Sequence, residues 1–191
     1  MPIRAVIFDW GGTLTPWHHV DLRERWLVYA TTYDPSRAEA LADALADEEV
    51  ARWGQMFETS GESGSGALEH MLTVHGVDVH SDEHHRALAL YLAAWEPNTH
   101  TDPDAAPLLK GLRSQGIATA VLSNTMWPRA HHEYVLARDG VLDLFDYLLF
   151  TSETANAKPH RSVFSQVANN LGVPEAHCAF VGDRLFDDIL G

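Results

Sequence analysis

Apolar and polar positions along this chain fall into two regimes. In the first, short unbroken apolar runs each end in small polar residues, at Arg4–Phe8, Ala118–Leu122, Tyr147–Phe150 and Ala179–Val181. Runs of this length without strict alternation predict strands buried on both faces of a parallel sheet. Amphipathic segments fall between them. Asp104–Gln115 follows Asp102-Pro103, a cap and first-turn proline, and stops at Gly116; Pro159–Leu171 stops at Gly172. This βαβ rhythm predicts an α/β fold built on a doubly wound parallel sheet.

The second regime covers residues 17–100, where no strand pattern occurs. Asp21–Tyr33 carries a helix pattern. Ser36-Arg37-Ala38-Glu39 has the capping-box form and predicts the start of a long helix towards Phe57, with Leu41, Leu45, Trp53 and Phe57 as its apolar stripe. Gly61–Gly66 reads as a joint, and Ala67–His75 and Asp82–Trp95 complete a helical set. The pattern therefore divides the chain into an α/β core, residues 1–16 and 101–191, and an inserted helical cap, residues 17–100. The insertion point places the cap over the edge of the sheet where the first strand ends.

Composition narrows the class. The 191 residues are 46% hydrophobic, enough for a globular core. Thirteen basic against 27 acidic side chains leave a formal charge of -14, which argues against nucleic acid and anionic membrane surfaces as partners. The one cysteine, Cys178, sits in an apolar stretch and reads as a buried, inert thiol. No disulfide can form within one chain, no apolar run reaches the ~18 residues of a spanning helix, and the first strand begins too early for a signal peptide. These features predict a cytoplasmic protein.

The candidate chemistry lies at the ends of the apolar runs. Asp9 follows Ala5–Phe8 directly and precedes Gly11-Gly12-Thr13. Ser123-Asn124 follows the second run, Lys158-Pro159 opens a helix pattern, and Gly182-Asp183, with Asp187 and Asp188, follows the last run. In doubly wound sheets ligands bind outside the carboxyl ends of the strands, so all four segments converge on one edge. A carboxylate nucleophile splits one hard displacement into two easier ones. Crowded carboxylates repel by about 4 kcal/mol per pair at ~4 Å and an effective dielectric near 20. A hard divalent cation relieves that repulsion, and Mg²⁺ suits a few carboxylates plus water and phosphate oxygen.

This ordered set, from FDWGGTLT through SETANAKPHRSVF to GDRLFDDILG, resembles the haloacid dehalogenase-like hydrolase superfamily over essentially the whole chain. The helical insert resembles that superfamily's cap placed after the first motif. The resemblance implies that Asp9 is the nucleophile, that Ser123 and Lys158 complete the catalytic set, and that Gly12, Thr13, Ser123, Asn124 and Lys158 bind the substrate phosphate. It implies a Mg²⁺ site from Asp9, the Gly11 carbonyl, Asp183 and Asp188, with Asp187 as a close alternative to Asp188. The implied activity is hydrolysis of a small phosphorylated metabolite through an aspartyl-phosphate.

One position departs from the pattern. The residue two after the nucleophile is usually an aspartate acting as general acid and base, and here it is Gly11. Losing a positioned acid removes roughly 10²–10⁴ in rate. The alternatives are a dehalogenase-like hydrolase or a phosphate-binding module with impaired turnover. Dehalogenases of the superfamily use no metal and lack the Gly-Asp of the last motif, which GDRLFDD retains. Phosphonate-cleaving members need a cap lysine, and residues 16–100 contain none. His18 and His19 are the nearest candidates for a recruited acid, though a solvated linker position is the simpler expectation. His84-His85 and His131-His132 are expected at the surface, and Trp10 and Trp17 are expected to flank the site. The family continues through another helix and strand beyond Gly191, so the resemblance implies a truncated core end.

Overall fold

The computed structural model describes residues 2–58 and 65–189; the greater part of the Gly61–Gly66 joint and the final two residues lie outside them. Four parallel strands, β1 (Ala5–Phe8), β2 (Ala118–Ser123), β3 (Tyr147–Phe150) and β4 (Cys178–Val181), form a sheet in the order β3-β2-β1-β4. Alternate residues leave each strand on opposite faces. Phe8, Val121 and Phe150 face one side, against α5 (Ala105–Ser114) and α6 (Arg129–Arg138). Ile7, Ala120, Leu122 and Leu149 face the other, against Val163 and Val167 of α7 (Arg161–Leu171). Helices on both faces make the sheet doubly wound, as the apolar runs predict. β4 is the exception to full burial: it forms an edge, its residues are half-buried, and Val181 is exposed.

Among the described residues, four α-helices lie between β1 and α5: α1 (Leu22–Tyr33), α2 (Ala38–Glu58), α3 (Ala67–Val74) and α4 (Asp82–Ala94). They share their own core, in which Trp26, Tyr29, Leu45, Met71, Leu72 and Tyr91 are almost completely buried. Trp26 stacks on Tyr91 with centroids 4.2 Å apart. Trp127, just before α6, packs against both this cluster and the α5–α6 face of the sheet, and so ties the helical insert to the α/β core.

Three helix starts differ from the sequence expectation. Ser36 does not cap α2; Asp34 does the capping, accepting from Ser36 N at 3.1 Å and from Ser36 Oγ at 2.6 Å across a short 3₁₀ turn. Glu39 turns away to pair with Arg23 instead of closing a capping box. α5 opens at Ala105 rather than at Asp104, with the Asp102 carboxylate accepting from Asp104 N at 2.8 Å. α7 opens at Arg161, capped by His160 Nδ1 accepting from Ser162 N at 3.2 Å, so Lys158 precedes the helix rather than sitting in its first turn. On the α2 stripe, Leu41 and Leu45 are buried and Trp53 is half-buried, while the side chain of Phe57 lies outside the described residues.

Candidate active site

β1 delivers Asp9 to the carboxyl edge of the sheet, where its amide donates to Val181 O of β4 at 2.8 Å. Asp9 is buried, and so are Ser123 at the end of β2 and Lys158. Lys158 is the most enclosed lysine or arginine among the described residues at 1% exposure, a position that requires compensating charge. Its ammonium donates to Asp9 Oδ1 at 2.9 Å and to Asp188 Oδ1 at 2.6 Å. It also lies 5.0 Å from the centroid of the Phe180 ring. Burial pushes the Asp9 carboxyl up to about 6; Lys158 opposes that rise and the Asp188 charge adds to it.

The last motif folds over this pair as a short π-helical turn, Leu185–Ile189. Asp188 Oδ2 accepts from Arg184 N at 2.9 Å. Gly182 makes this packing possible, because a Cβ there would lie 2.1 Å from Asp188 Oδ2. Asp183 stands at the mouth of the site, accepting from Trp17 Nε1 at 2.6 Å and from Thr13 Oγ1 at 3.5 Å. Gly12 lies beneath Trp17 with φ +79, a backbone conformation that favours glycine, and a Cβ there would come within 2.3 Å of the indole nitrogen.

Asp9, Asp183 and Asp188 each offer an oxygen within 4.8 Å of the others, the grouping suited to a metal ion among the described residues. All three would offer hard carboxylate oxygens, the donor chemistry of Mg²⁺. Asp187 lies beside them, with one oxygen 3.3 Å from Arg184 and the other, Oδ1, buried without a hydrogen-bond partner among the described residues. The edge therefore brings together all ten residues singled out from the sequence: Asp9, Gly11, Gly12, Thr13, Ser123, Asn124, Lys158, Asp183, Asp187 and Asp188. Asn124 also does something the sequence does not indicate. Its side chain grips the Lys158 backbone at both ends, donating to Lys158 O at 2.9 Å and accepting from Lys158 N at 2.8 Å.

A cavity of about 360 Å³ opens onto Asp9, Ser123 and Lys158. Its far wall comes from the helical insert: Leu22, Glu49, Trp53 and Trp95. Gly11 lines it too, and a Cβ at that position would meet nothing within 4 Å. Trp10 and Trp17 flank the site as expected, Trp10 buried against His132 and Trp17 exposed. His18 and His19 are exposed and absent from this wall; His18 borders a smaller neighbouring cavity. The histidine pairs correct the surface expectation. Adjacent helical positions point about 100° apart, so one member of each pair turns inward: His84 and His132 are buried, while His85 is exposed. Cys178 is half-buried rather than fully enclosed, and burial raises its thiol.

The family model for haloacid dehalogenase-like hydrolase matches residues 3–191. The chain is 28% identical over 196 residues to a glyceraldehyde 3-phosphate phosphatase of Methanopyrus kandleri, covering 99% of this chain and 79% of that one. Among solved structures it resembles a HAD phosphatase from Thermococcus onnurineus, with a TM-score of 0.60 at 23% identity over 98% of this chain and 80% of that one. It also resembles the L-2-haloacid dehalogenase of Xanthobacter autotrophicus, with a TM-score of 0.55 at 24% identity over 97% of this chain and 71% of that one. Among the described residues no helix is long and apolar enough to cross a membrane. The strand-end carboxylate, the buried lysine between two aspartates, the helical insert and the match over nearly the full length together make this chain a member of the haloacid dehalogenase-like hydrolase superfamily.

Proposed function

We propose that the chain is a Mg²⁺-dependent phosphatase that hydrolyses a small phosphate monoester through an aspartyl-phosphate on Asp9. The observation that carries this reading is the clustering of Asp9, Asp183 and Asp188 within 4.8 Å around an edge that also holds Lys158. A dehalogenase of this superfamily has no use for such a set, whereas phosphoryl transfer is mostly positioning and charge neutralisation. The relative from Methanopyrus kandleri is named as a phosphatase of a small phosphorylated aldehyde, which accords with the same class of substrate.

In the first step an Asp9 oxygen forms a bond to phosphorus while the ester P–O bond breaks, and the leaving group departs with that electron pair. In the second, water attacks the phosphorus of the aspartyl-phosphate, releasing inorganic phosphate and restoring the carboxylate. Lys158 neutralises Asp9 as the dianionic group approaches and then holds an equatorial phosphoryl oxygen. Ser123 donates a hydroxyl hydrogen bond to the same group, beside the Gly12-Thr13 turn that follows Asp9. Asn124 fixes the Lys158 backbone. Asp9, Asp183, Asp188 or its neighbour Asp187, and the Gly11 carbonyl would hold Mg²⁺, which when bound supplies charge neutralisation at the transferring phosphoryl group.

Gly11 brings no proton to the leaving group. The enzyme therefore favours esters whose leaving group departs as a stable anion. The test is turnover of an aryl and an alkyl phosphate with and without Mg²⁺. Aryl turnover should exceed alkyl turnover, and chelation should abolish both. Turnover insensitive to chelation would overturn the metal assignment. Tight phosphate binding with no turnover of either ester would replace the phosphatase with a binding module.

A further inference from the structure

Glu49 has no part in the chemistry above, yet it is buried and lines the same cavity as Asp9 and Lys158. It projects from α2, one helical turn before Trp53. Both of its hydrogen-bond donors are neutral indoles: Trp26 Nε1 at 2.7 Å and Trp53 Nε1 at 3.4 Å. No ion pair reaches it among the described residues, and burial raises its carboxyl. A buried carboxylate held only by neutral donors is costly unless a cation joins it.

The walls around it favour a cation as well. Trp53, Trp95 and Trp127 line the cavity and are only half-buried. Trp95 and Trp127 meet edge to face, with centroids 5.1 Å apart. Indole faces attract cations within about 6 Å, most strongly where water is excluded. The protein already uses one of these rings in that way, with the Arg25 guanidinium carbon 5.7 Å from the Trp95 centroid. A neutral polyol or an apolar tail would leave the Glu49 charge uncompensated.

We propose that the cap wall is a cation subsite, formed by Glu49 with the indoles of Trp53, Trp95 and Trp127, that selects phosphate monoesters carrying a small organic ammonium group. The phosphate end lies on the Lys158 and Ser123 side, and the ammonium end lies against Glu49. The substrate class is therefore a phosphorylated amino alcohol. Such a zwitterion also approaches a chain of formal charge -14 with less long-range repulsion than a sugar phosphate does. This assignment rests on the phosphatase reading for its phosphate end only.

The experiment compares choline phosphate with its neutral isostere, 3,3-dimethylbutyl phosphate, in the full chain with Mg²⁺. Both kcat/KM for the esters and Kd for the matching non-hydrolysable phosphonates are measured. The expected result is a preference of about 10-fold or more for the ammonium compound, equivalent to about 1.4 kcal/mol. In Glu49→Gln, which keeps an acceptor for both indoles, the preference should fall to about 2-fold or less. Trp53→Leu should reduce it while leaving Glu49 in place, and should decide the matter if the Gln variant fails to fold. Equal handling of the two compounds by the unmodified protein would overturn the subsite, as would tighter binding of a pyrimidine nucleotide than of any ammonium ester. Phosphonate discrimination without ester turnover would reject the phosphatase reading and keep the subsite. Aryl phosphate turnover without ammonium preference would do the reverse.

Discussion

Replacing Gly182 by alanine tests how the last motif holds the charged centre. A Cβ at Gly182 would sit 2.1 Å from Asp188 Oδ2, 2.3 Å from its Cγ and 2.7 Å from its Cβ, where ordinary contact begins at 3.4 Å. Rotating the Asp188 side chain cannot relieve a clash with its own Cβ, so the backbone of the Leu185–Ile189 turn must move by about 1 Å. That movement breaks two bonds: Lys158 Nζ to Asp188 Oδ1 at 2.6 Å, and Arg184 N to Asp188 Oδ2 at 2.9 Å. Hydrogen bonds to charged groups contribute about 1.5–3 kcal/mol each, so the variant should lose roughly 3–6 kcal/mol. For a chain of this size about 1 kcal/mol shifts Tm by roughly 2–4 °C, which gives a fall of at least about 6 °C. A displacement of about 1 Å at a reacting centre costs on the order of 10²-fold in rate, and aryl phosphate turnover should fall by at least that much. The assay pairs thermal unfolding followed by circular dichroism with steady-state kinetics. Gly11→Ala is the control, because its Cβ meets nothing within 4 Å, and its Tm should stay within about 2 °C. A Gly182→Ala protein with unchanged Tm and unchanged turnover would refute the claim that this glycine exists to admit Asp188.

Gly11→Asp places a carboxyl in open space on the cavity wall and should raise alkyl phosphate turnover by about 10²-fold or more, with a much smaller gain for aryl esters; an unchanged alkyl-to-aryl ratio would show that proton supply does not limit this enzyme. His132 is fully buried, stacked 4.4 Å from Phe150, and burial holds its ring down at about 3, with smaller contributions from His131 and Arg129. Its folded value lies below its unfolded value near 6.5, so the folded state binds the proton less readily. Its stabilisation is complete above about pH 6.5 and is lost as pH falls towards 3, at about 1 kcal/mol per pH unit. Urea unfolding between pH 6 and 4 should therefore show a shallower acid slope in His132→Gln than in the unmodified protein; identical slopes would remove His132 from the acid response.

The division of roles within the site follows from what each side chain touches. Lys158 is the only buried cation among the described residues at the strand edge, and it stands between Asp9 and Asp188. Asp183, by contrast, is exposed and tethered by Trp17, a residue at the start of the insert. Movement of the insert relative to the core would therefore be felt directly at one of the carboxylates of the candidate metal site.

Local pattern was enough to read the strands, the cap insertion and the ten edge residues, because those features depend on nearest neighbours in the chain. Buried parallel strands are predominantly apolar, and the residues at or just after their carboxyl ends emerge at the same edge, so Asp9, Ser123 and Asp183 are legible from run length and order. Helix starts were less so. The Ser36 box does not form because Asp34, two residues earlier, takes the same amide, and α6 carries only a short buried stripe, His132, Val135 and Leu136, that gives a weak helical pattern. What tertiary structure alone decided was which distant groups share a space. Nothing at positions 124 and 158 announces that the Asn124 amide clamps the Lys158 backbone. Nor does anything near position 49 mark one glutamate among many as buried, held by two indoles and facing Asp9 across a cavity. Glu49 occupies an ordinary position on an amphipathic helix, and it becomes distinctive only when α1, α2 and the α/β core close around it and remove its water.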